Sequence, residues 1–261
     1  MRFALAGGQR VEAYAGGRGM CRRCNGEVIA KCGTHRVAHW AHRGMRDCDE
    51  TDWHRAWKNN FPAECQEFIQ HDGQSGEKHI ADVRTPHGLV IEFQHSHLDP
   101  LERAARERFY GNLVWVVDGT RLQRDYPRFN KGKDSLRRTN NEGYFLLTFP
   151  EECFPAMWLD SSVPVIFDFR GADDSQPPDA YRDALWCLLP GRAEGSAVVV
   201  GMSREEFVKV APSRPQLLAV QQIVTGFAQR IRELRAADAF EARRFVGMPG
   251  GRGRRRRYPR F

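Results

Sequence analysis

At 261 residues and 29.9 kDa the chain is long enough to bury a core without disulfide staples. Its 41% hydrophobic, 11% aromatic and 28% charged residues and mean hydropathy of -0.59 exclude the disordered, collagenous and membrane-spanning classes. The 40 Lys and Arg against 33 Asp and Glu give a net charge of +7, which favours a polyanionic partner. Six of the Arg crowd into the terminal GGRGRRRRYPRF, which has no acid. The apolar stretch of the opening MRFALAGGQR is too short for a secretory signal. The expectation is a cytoplasmic protein with no membrane partner, whose seven Cys are reduced.

In chain order, Glu27 to Cys32 alternates as a short strand, Gly33-Thr34 is a turn and Arg36 to Trp40 returns as a second strand. Thr51 to Asn60 has a helical period, with Trp53, Ala56 and Trp57 on one stripe and Pro62 as a stop. Strands follow at Glu64 to Gln70, Lys78 to Thr85 and Leu89 to His95, parted by loop signals at 72–76 and at Pro86-His87-Gly88. Asp99 and Pro100 supply the cap and first position of a helix to Tyr110, and Leu113 to Val117 is a buried strand. Arg121 to Asn141 is polar and basic and reads as a mobile connection. Beyond it the pattern predicts strands at Tyr144 to Phe149, Met157 to Leu159, Val163 to Phe169 and Ala197 to Gly201. It predicts helices at Tyr181 to Leu189, Arg204 to Val210 and Gln216 to Phe245, and a disordered basic arm over 247–261.

Four of the seven Cys fall in the first 48 residues. Cys21 and Cys24 form a CxxC pair followed by His35, His39, His42 and Cys48, a set of soft and imidazole donors that suits tetrahedral Zn2+. Cys21, Cys24 and His39 are the first three ligands; His42 is the first choice for the fourth and Cys48 the alternative. Four protein ligands leave no open position for water, so the ion would be structural.

The second constellation lies on the predicted hairpin. If Pro86-His87-Gly88 is a three-residue loop with Gly88 in the left-handed region, Thr85 faces Leu89, and counting outward sets Asp82 opposite Glu92. Gln94 joins Glu92 on that face, and Leu89, Ile91 and Phe93 line the other. Opposed like charges call for a cation between them, and oxygen donors alone favour Mg2+. On the preceding helix Glu50, His54 and Lys58 recur every fourth residue as one polar stripe that could reach a metal or a phosphate.

Taken together these residues resemble the competence protein CoiA-like family, whose nuclease domain belongs to the PD-(D/E)XK superfamily. The resemblance runs over about residues 20–119. It follows the CxxC, the His39 to His42 element, the stripe Glu50, His54 and Lys58, the Ala-Asp-Val strand at Asp82, and Ile-Glu-Phe-Gln with Glu92, Gln94 and Ser96. It ends in Arg106 or Arg108 with Tyr110 and the strand around Trp115. It implies an α/β fold: a restriction-endonuclease-like core of helix, three-stranded meander, helix and strand over 49–120. A zinc-binding module over 1–48 precedes it, and an α+β C-terminal region over 121–246 and the arm follow. It also implies an Mg2+ (or Mn2+) dependent nuclease that hydrolyses phosphodiester bonds of single- or double-stranded DNA, in uptake, recombination, repair or defence. Asp82 and Glu92 would hold the metal, Gln94 would orient water, Glu50 would add a further acid, and His54 and Lys58 would contact phosphate or the leaving oxygen. The departure is Gln94, where the superfamily's name-giving Lys stands. That leaves reduced activity, charge supplied by Lys58 or Lys78, or a catalytically silent DNA-binding or recombination accessory protein.

Overall fold

The computed structural model describes residues 1–22, 25–33, 37–42, 51–71, 78–171 and 177–246. The N-terminal strands β1 (Phe3–Ala6), β2 (Gln9–Glu12), β3 (Arg18–Met20), β4 (Glu27–Lys31) and β5 (His39–His42) form one antiparallel sheet in the order β2-β1-β3-β4-β5. Its small core is Ala4, Cys21, Val28 and Trp40. Trp40 is 1% exposed and donates its indole N–H to the Val11 carbonyl at 3.1 Å, so the one large side chain of this core is also satisfied as a polar group.

The rest of the chain builds a mixed sheet of nine strands. Helix α1 (Asp52–Lys58) leads into β6 (Gln66–His71), β7 (Lys78–Arg84) and β8 (Val90–Gln94), and α2 (Pro100–Tyr110) crosses to β9 (Leu113–Asp118). There follow α3 (Asp125–Gly132), β10 (Arg137–Arg138), β11 (Tyr144–Leu147), β12 (Val165–Asp168), α4 (Ala180–Asp183), β13 (Leu185–Leu188), β14 (Ala197–Met202), α5 (Arg204–Val210) and α6 (Val220–Val246). The order is β10-β11-β14-β13-β12-β9-β8-β7-β6, with β8, β9 and β12 parallel and the other pairs antiparallel. Strands from both sides of residue 120 therefore share this sheet. Among the described residues, no helix is long and apolar enough to cross a membrane.

Local chemistry accounts for the helix ends that position the site. The Thr51 hydroxyl accepts from the His54 N–H and caps α1; Asp99 accepts from Leu101 and Glu102 and caps α2, with Pro100 at its first position and Gly111 at φ +66 past its end. The strands in the middle of the sheet read as continuous apolar runs because both faces are covered. On one face Ile91, Phe93, Val114 and Val116 pack under Trp53, Trp57 and Phe61 and under α5 and α6. On the other, Val90, Leu113, Trp115 and Phe167 pack under Leu98, Phe129, Phe154 and Trp158.

One buried carboxylate joins several of these elements. Asp168, at the end of β12, is 0% exposed. Its Oδ2 accepts the indole N–H of Trp53 at 2.8 Å and of Trp57 at 2.9 Å. Its Oδ1 accepts the backbone N–H of Arg170 and Gly171 and the guanidinium of Arg204. The helix that carries the sequence's polar stripe is thus fixed to a strand more than 100 residues later.

Four readings of the sequence are corrected. Arg121 to Asn141 is not a mobile connection but holds α3 and β10, because Phe129 is fully buried and stacks on Phe169 at 4.7 Å while its polar neighbours face outward. Met157 to Leu159 is not a strand; Ala156–Trp158 is a 3-10 turn set by Pro155. Tyr181 to Leu189 is a four-residue helix followed by the inner strand β13, since a short apolar run such as Leu-Trp-Cys-Leu has no period that separates strand from buried helix. The second N-terminal strand lies at His39–His42, pairing Lys31 with His39 and Val28 with His42. The strands β1 to β3 have no counterpart in the sequence reading.

Candidate active site

The hairpin of β7 and β8 has the register that its loop dictates. Gly88 sits at φ +84, its N–H donates to the Thr85 carbonyl, and the Thr85 N–H donates to Leu89 at 2.9 Å. Arg84 then faces Val90 and Val83 faces Ile91. A Cβ at Gly88 would meet nothing within 4 Å, so Gly88→Ala costs only the left-handed backbone conformation. That variant is expected to lose about 1 kcal/mol in chemical denaturation with the sheet intact.

The next position outward belongs to Asp82 and Glu92, and there the ladder changes. Asp82 Oδ2 accepts the Phe93 backbone N–H at 3.0 Å, a side chain serving where a backbone carbonyl would. From this point β7 continues along β6 to Lys78, while β8 continues along β9 to Gln94. The two strands part, and the fork opens toward the carboxyl end of β8.

Both carboxylates are taken out of water, Asp82 to 9% exposure and Glu92 to 2%. Solvated acids on a polar face would not be. Each has positive or donating neighbours that make the burial tolerable. His54 Nε2 lies 2.9 Å from Asp82 Oδ2, so the α1 stripe does reach the fork. Arg106 Nη1 of α2 lies 3.4 Å from Glu92 Oε2, and the Tyr110 hydroxyl bonds to the same carboxylate. Burial, then the Glu92 charge, pushes the Tyr110 hydroxyl well above its ordinary pKa, so it stays a donor across the working pH range. The Gln94 amide donates to the Ser96 carbonyl at 2.8 Å and to its hydroxyl at 3.2 Å.

A third acid, Glu67, has no place in the sequence reading. It lies between the pairs Gln66↔Val83 and Phe68↔Ala81, beside Asp82 on the edge strand, with φ +49. Lys58, 3% exposed, points its ammonium at Glu67 Oε1 at 3.0 Å. Lys78 donates to the Arg22 carbonyl at 3.0 Å. The only signal for Glu67 in the sequence is an acid within the strand predicted over Glu64 to Gln70. Glu50 lies outside the described residues.

Residues 14–50 match the model of the competence protein CoiA N-terminal domain. The N-terminal region is CoiA-like. No curated protein and no solved structure matches the chain. The CoiA-like segment covers β3 to β5 and meets the fork directly: Arg22 donates to the Glu67 carbonyl at 2.9 Å and lies 3.6 Å from its carboxylate. Within the segment Cys21 is fully buried in a tight turn, its N–H on Gly26 and its carbonyl taking Asn25. Along β5, His42 shares the buried face with Trp40, and His39 faces the other way with Nδ1 2.9 Å from the Val37 carbonyl. The strand therefore does not present His39 and His42 on one side. Cys24, His35 and Cys48 lie outside the described residues, and among the described residues no three His, Cys, Asp or Glu form a metal-binding group.

Proposed function

We propose that the fork is the active site of a restriction-endonuclease-like nuclease that hydrolyses phosphodiester bonds of DNA with a divalent cation, and that the CoiA-like region marks a role in competence or a related use of incoming DNA. The observation that carries the reading is the buried pair Asp82 and Glu92 at the point where two strands separate, with Gln94 two residues on. The element order of helix, three antiparallel strands, helix and parallel strand agrees with it. So does the donor set. Carboxylate oxygens alone suit Mg2+ or Mn2+, and their closeness is better tolerated with a cation than without.

Asp82 and Glu92 would hold the cation, which when bound lowers the pKa of water and polarises the scissile phosphate. Tyr110 and Arg106 fix the Glu92 carboxylate, and His54 with the Phe93 N–H fixes that of Asp82. Gln94 orients the attacking water through its amide, and Glu50 adds a further acid. Lys58 holds the edge of the fork through Glu67. A silent, DNA-binding accessory protein is the second reading, favoured by one observation: the ammonium of Lys58 is engaged by Glu67 and the place of the usual Lys is taken by a neutral amide. Incubation with single-stranded, duplex and branched DNA and with RNA, in Mg2+ or Mn2+, separates the two.

For the CoiA-like region we propose a structural Zn2+ held by Cys21, Cys24 and His42 with Cys48 as the fourth ligand, because His39 faces the other side of β5. About one zinc per chain is expected by elemental analysis, and Cys21→Ser should release it and lower the melting temperature, because structural zinc energy is folding energy. A metal-free protein that resists chelation would disprove the site.

The arm over 247–261 lies outside the described residues, and its six Arg make it a candidate for binding phosphates. Truncation after Gly247 should flatten the salt dependence of log affinity by about 0.7 to 0.9 for each phosphate that an Arg no longer neutralises, with turnover at saturating DNA unchanged. Equal slopes in a fluorescence anisotropy titration would make the arm a bystander.

A further inference from the structure

We infer that His79 and Phe109 form a stacking shelf at the mouth of the fork for an unpaired base next to the scissile phosphate, so that the substrate is an unpaired strand of DNA. The inference rests on the nuclease reading given above and adds to it the form of DNA that the fork accepts.

The placement follows from the register. β7 and β8 are antiparallel, so the amino end of β7, where His79 stands, lies at the carboxyl end of β8, the end toward which the fork opens. His79 and Ala81 share a face of β7, and Ala81 packs with Val90 and Trp115 in the layer that also takes Tyr110. Glu92, two residues after Val90, points to the same side, where Arg106 and Tyr110 of α2 meet it. There the last two residues of α2 close on β7. The His79 ring centroid is 4.2 Å from that of Phe109 and 6.0 Å from that of Tyr110, and the two rings of α2 stand 5.0 Å apart, edge to face. The Tyr110 hydroxyl bonds to Glu92, so the cluster begins one phenol ring from a carboxylate that would hold the cation. That is within a nucleotide's length of a phosphate bound at the fork.

Exposure separates these rings from the core. Trp115, Phe129, Phe154 and Trp158 on this side of the sheet are buried, whereas His79, Phe109 and Tyr110 at its margin are half-buried and keep ring surface in contact with water. Beside them Phe68 of the edge strand, also half-buried, carries the Arg84 guanidinium 4.6 Å from its ring centroid. The carboxyl end of a helix has partial negative charge and does not by itself draw a phosphate. What this corner offers a nucleic acid is ring surface with a guanidinium at its side, the combination that holds unpaired bases with little regard to sequence. A base inside a duplex has both faces covered by its neighbours, so only an unstacked one can lie on the shelf. A base held there would set the adjoining phosphate over Asp82 and Glu92.

The test compares binding of full-length protein to a single-stranded oligonucleotide and to an abasic strand of equal length and charge, by fluorescence anisotropy without divalent cation so that neither is cut. The wild type is expected to bind the base-bearing strand about tenfold more tightly, as one stacked base allows. In Mg2+ or Mn2+ it should cut that strand faster than the duplex of the same sequence. His79→Ala and Phe109→Leu should each remove most of the tenfold margin and leave the salt dependence unchanged, and Phe109→Tyr, which keeps a ring, should retain the margin. Photocrosslinking of a strand carrying iodouracil to the wild type should map to the peptides that hold His79 or Phe109, and it tests the shelf even if a variant does not fold. Equal affinity of the wild type for the two strands, a full margin in the folded His79 and Phe109→Leu variants, faster cleavage of the duplex, or a crosslink confined to other peptides overturns the shelf. The nuclease reading then stands if the wild type cleaves and Asp82→Ala does not. A preference for the base-bearing strand with no cleavage in either cation overturns the nuclease reading and leaves the shelf as the strand-binding site of an accessory protein.

Discussion

Replacing either carboxylate at the fork is expected to abolish cleavage. Asp82→Ala and Glu92→Ala should each lower the rate about a thousandfold or more, equal to about 4 kcal/mol of transition-state stabilisation, with DNA affinity largely kept. On the proposed function the loss is chemical, because positive side chains elsewhere would bind the phosphates while the two acids would hold the ion that activates water. The structural side effects differ between them. Asp82→Ala removes a bond to the Phe93 N–H and the partner of His54; Glu92→Ala leaves the Arg106 guanidinium and Tyr110 hydroxyl facing a gap. Asp82→Asn and Glu92→Gln keep the shape and remove the charge, and they should be as inactive as the Ala forms while melting closer to wild type. Near-wild-type turnover in a folded Asp82 or Glu92 variant would mean that the fork is not the site.

The largest stability effect is expected away from the fork. Asp168→Ala leaves two indole N–H groups, two backbone N–H groups and a partly exposed guanidinium without their shared acceptor, the two indoles being buried. Breaking a buried, charged network of this kind costs about 3 to 5 kcal/mol, or a fall of about 10 °C or more in melting temperature for a chain of this size. Asp168→Asn keeps one acceptor oxygen and should retain part of that stability. Calorimetry of the three proteins checks the order, and equal melting temperatures would remove Asp168 from the account.

Much of the fork is legible in the sequence because its signals are local. Gly88 after Pro86-His87 fixes the loop, the loop fixes the register, and the register brings Asp82 and Glu92 together; Asp99-Pro100 likewise fixes the start of α2. What is not legible depends on partners far along the chain. Glu67 matters because of Lys58 and Arg22, and His79 because Phe109 and Tyr110 arrive at the end of α2. Strand β13 reads as helix because Leu185–Leu188 is buried on both faces, which erases the alternation that marks a strand. The stripe of Glu50, His54 and Lys58 reads as one surface, yet His54 and Lys58 serve different acids, Asp82 and Glu67.

The sharing of Asp168 has a thermodynamic consequence for the molecule as a whole. The indoles that seat α1 over the fork draw their acceptor from β12, and the guanidinium on the same carboxylate comes from α5. Residues 49–120 cannot then reach their lowest free energy without residues 121–246, and opening of either half exposes unsatisfied donors in the other. The two stretches should melt in one calorimetric transition, and a fragment ending near residue 120 should expose Trp53 and Trp57 to quenchers and lose the rigid seat that His54 needs to face Asp82. The C-terminal stretch is in this sense the clamp that keeps the fork's helix in register.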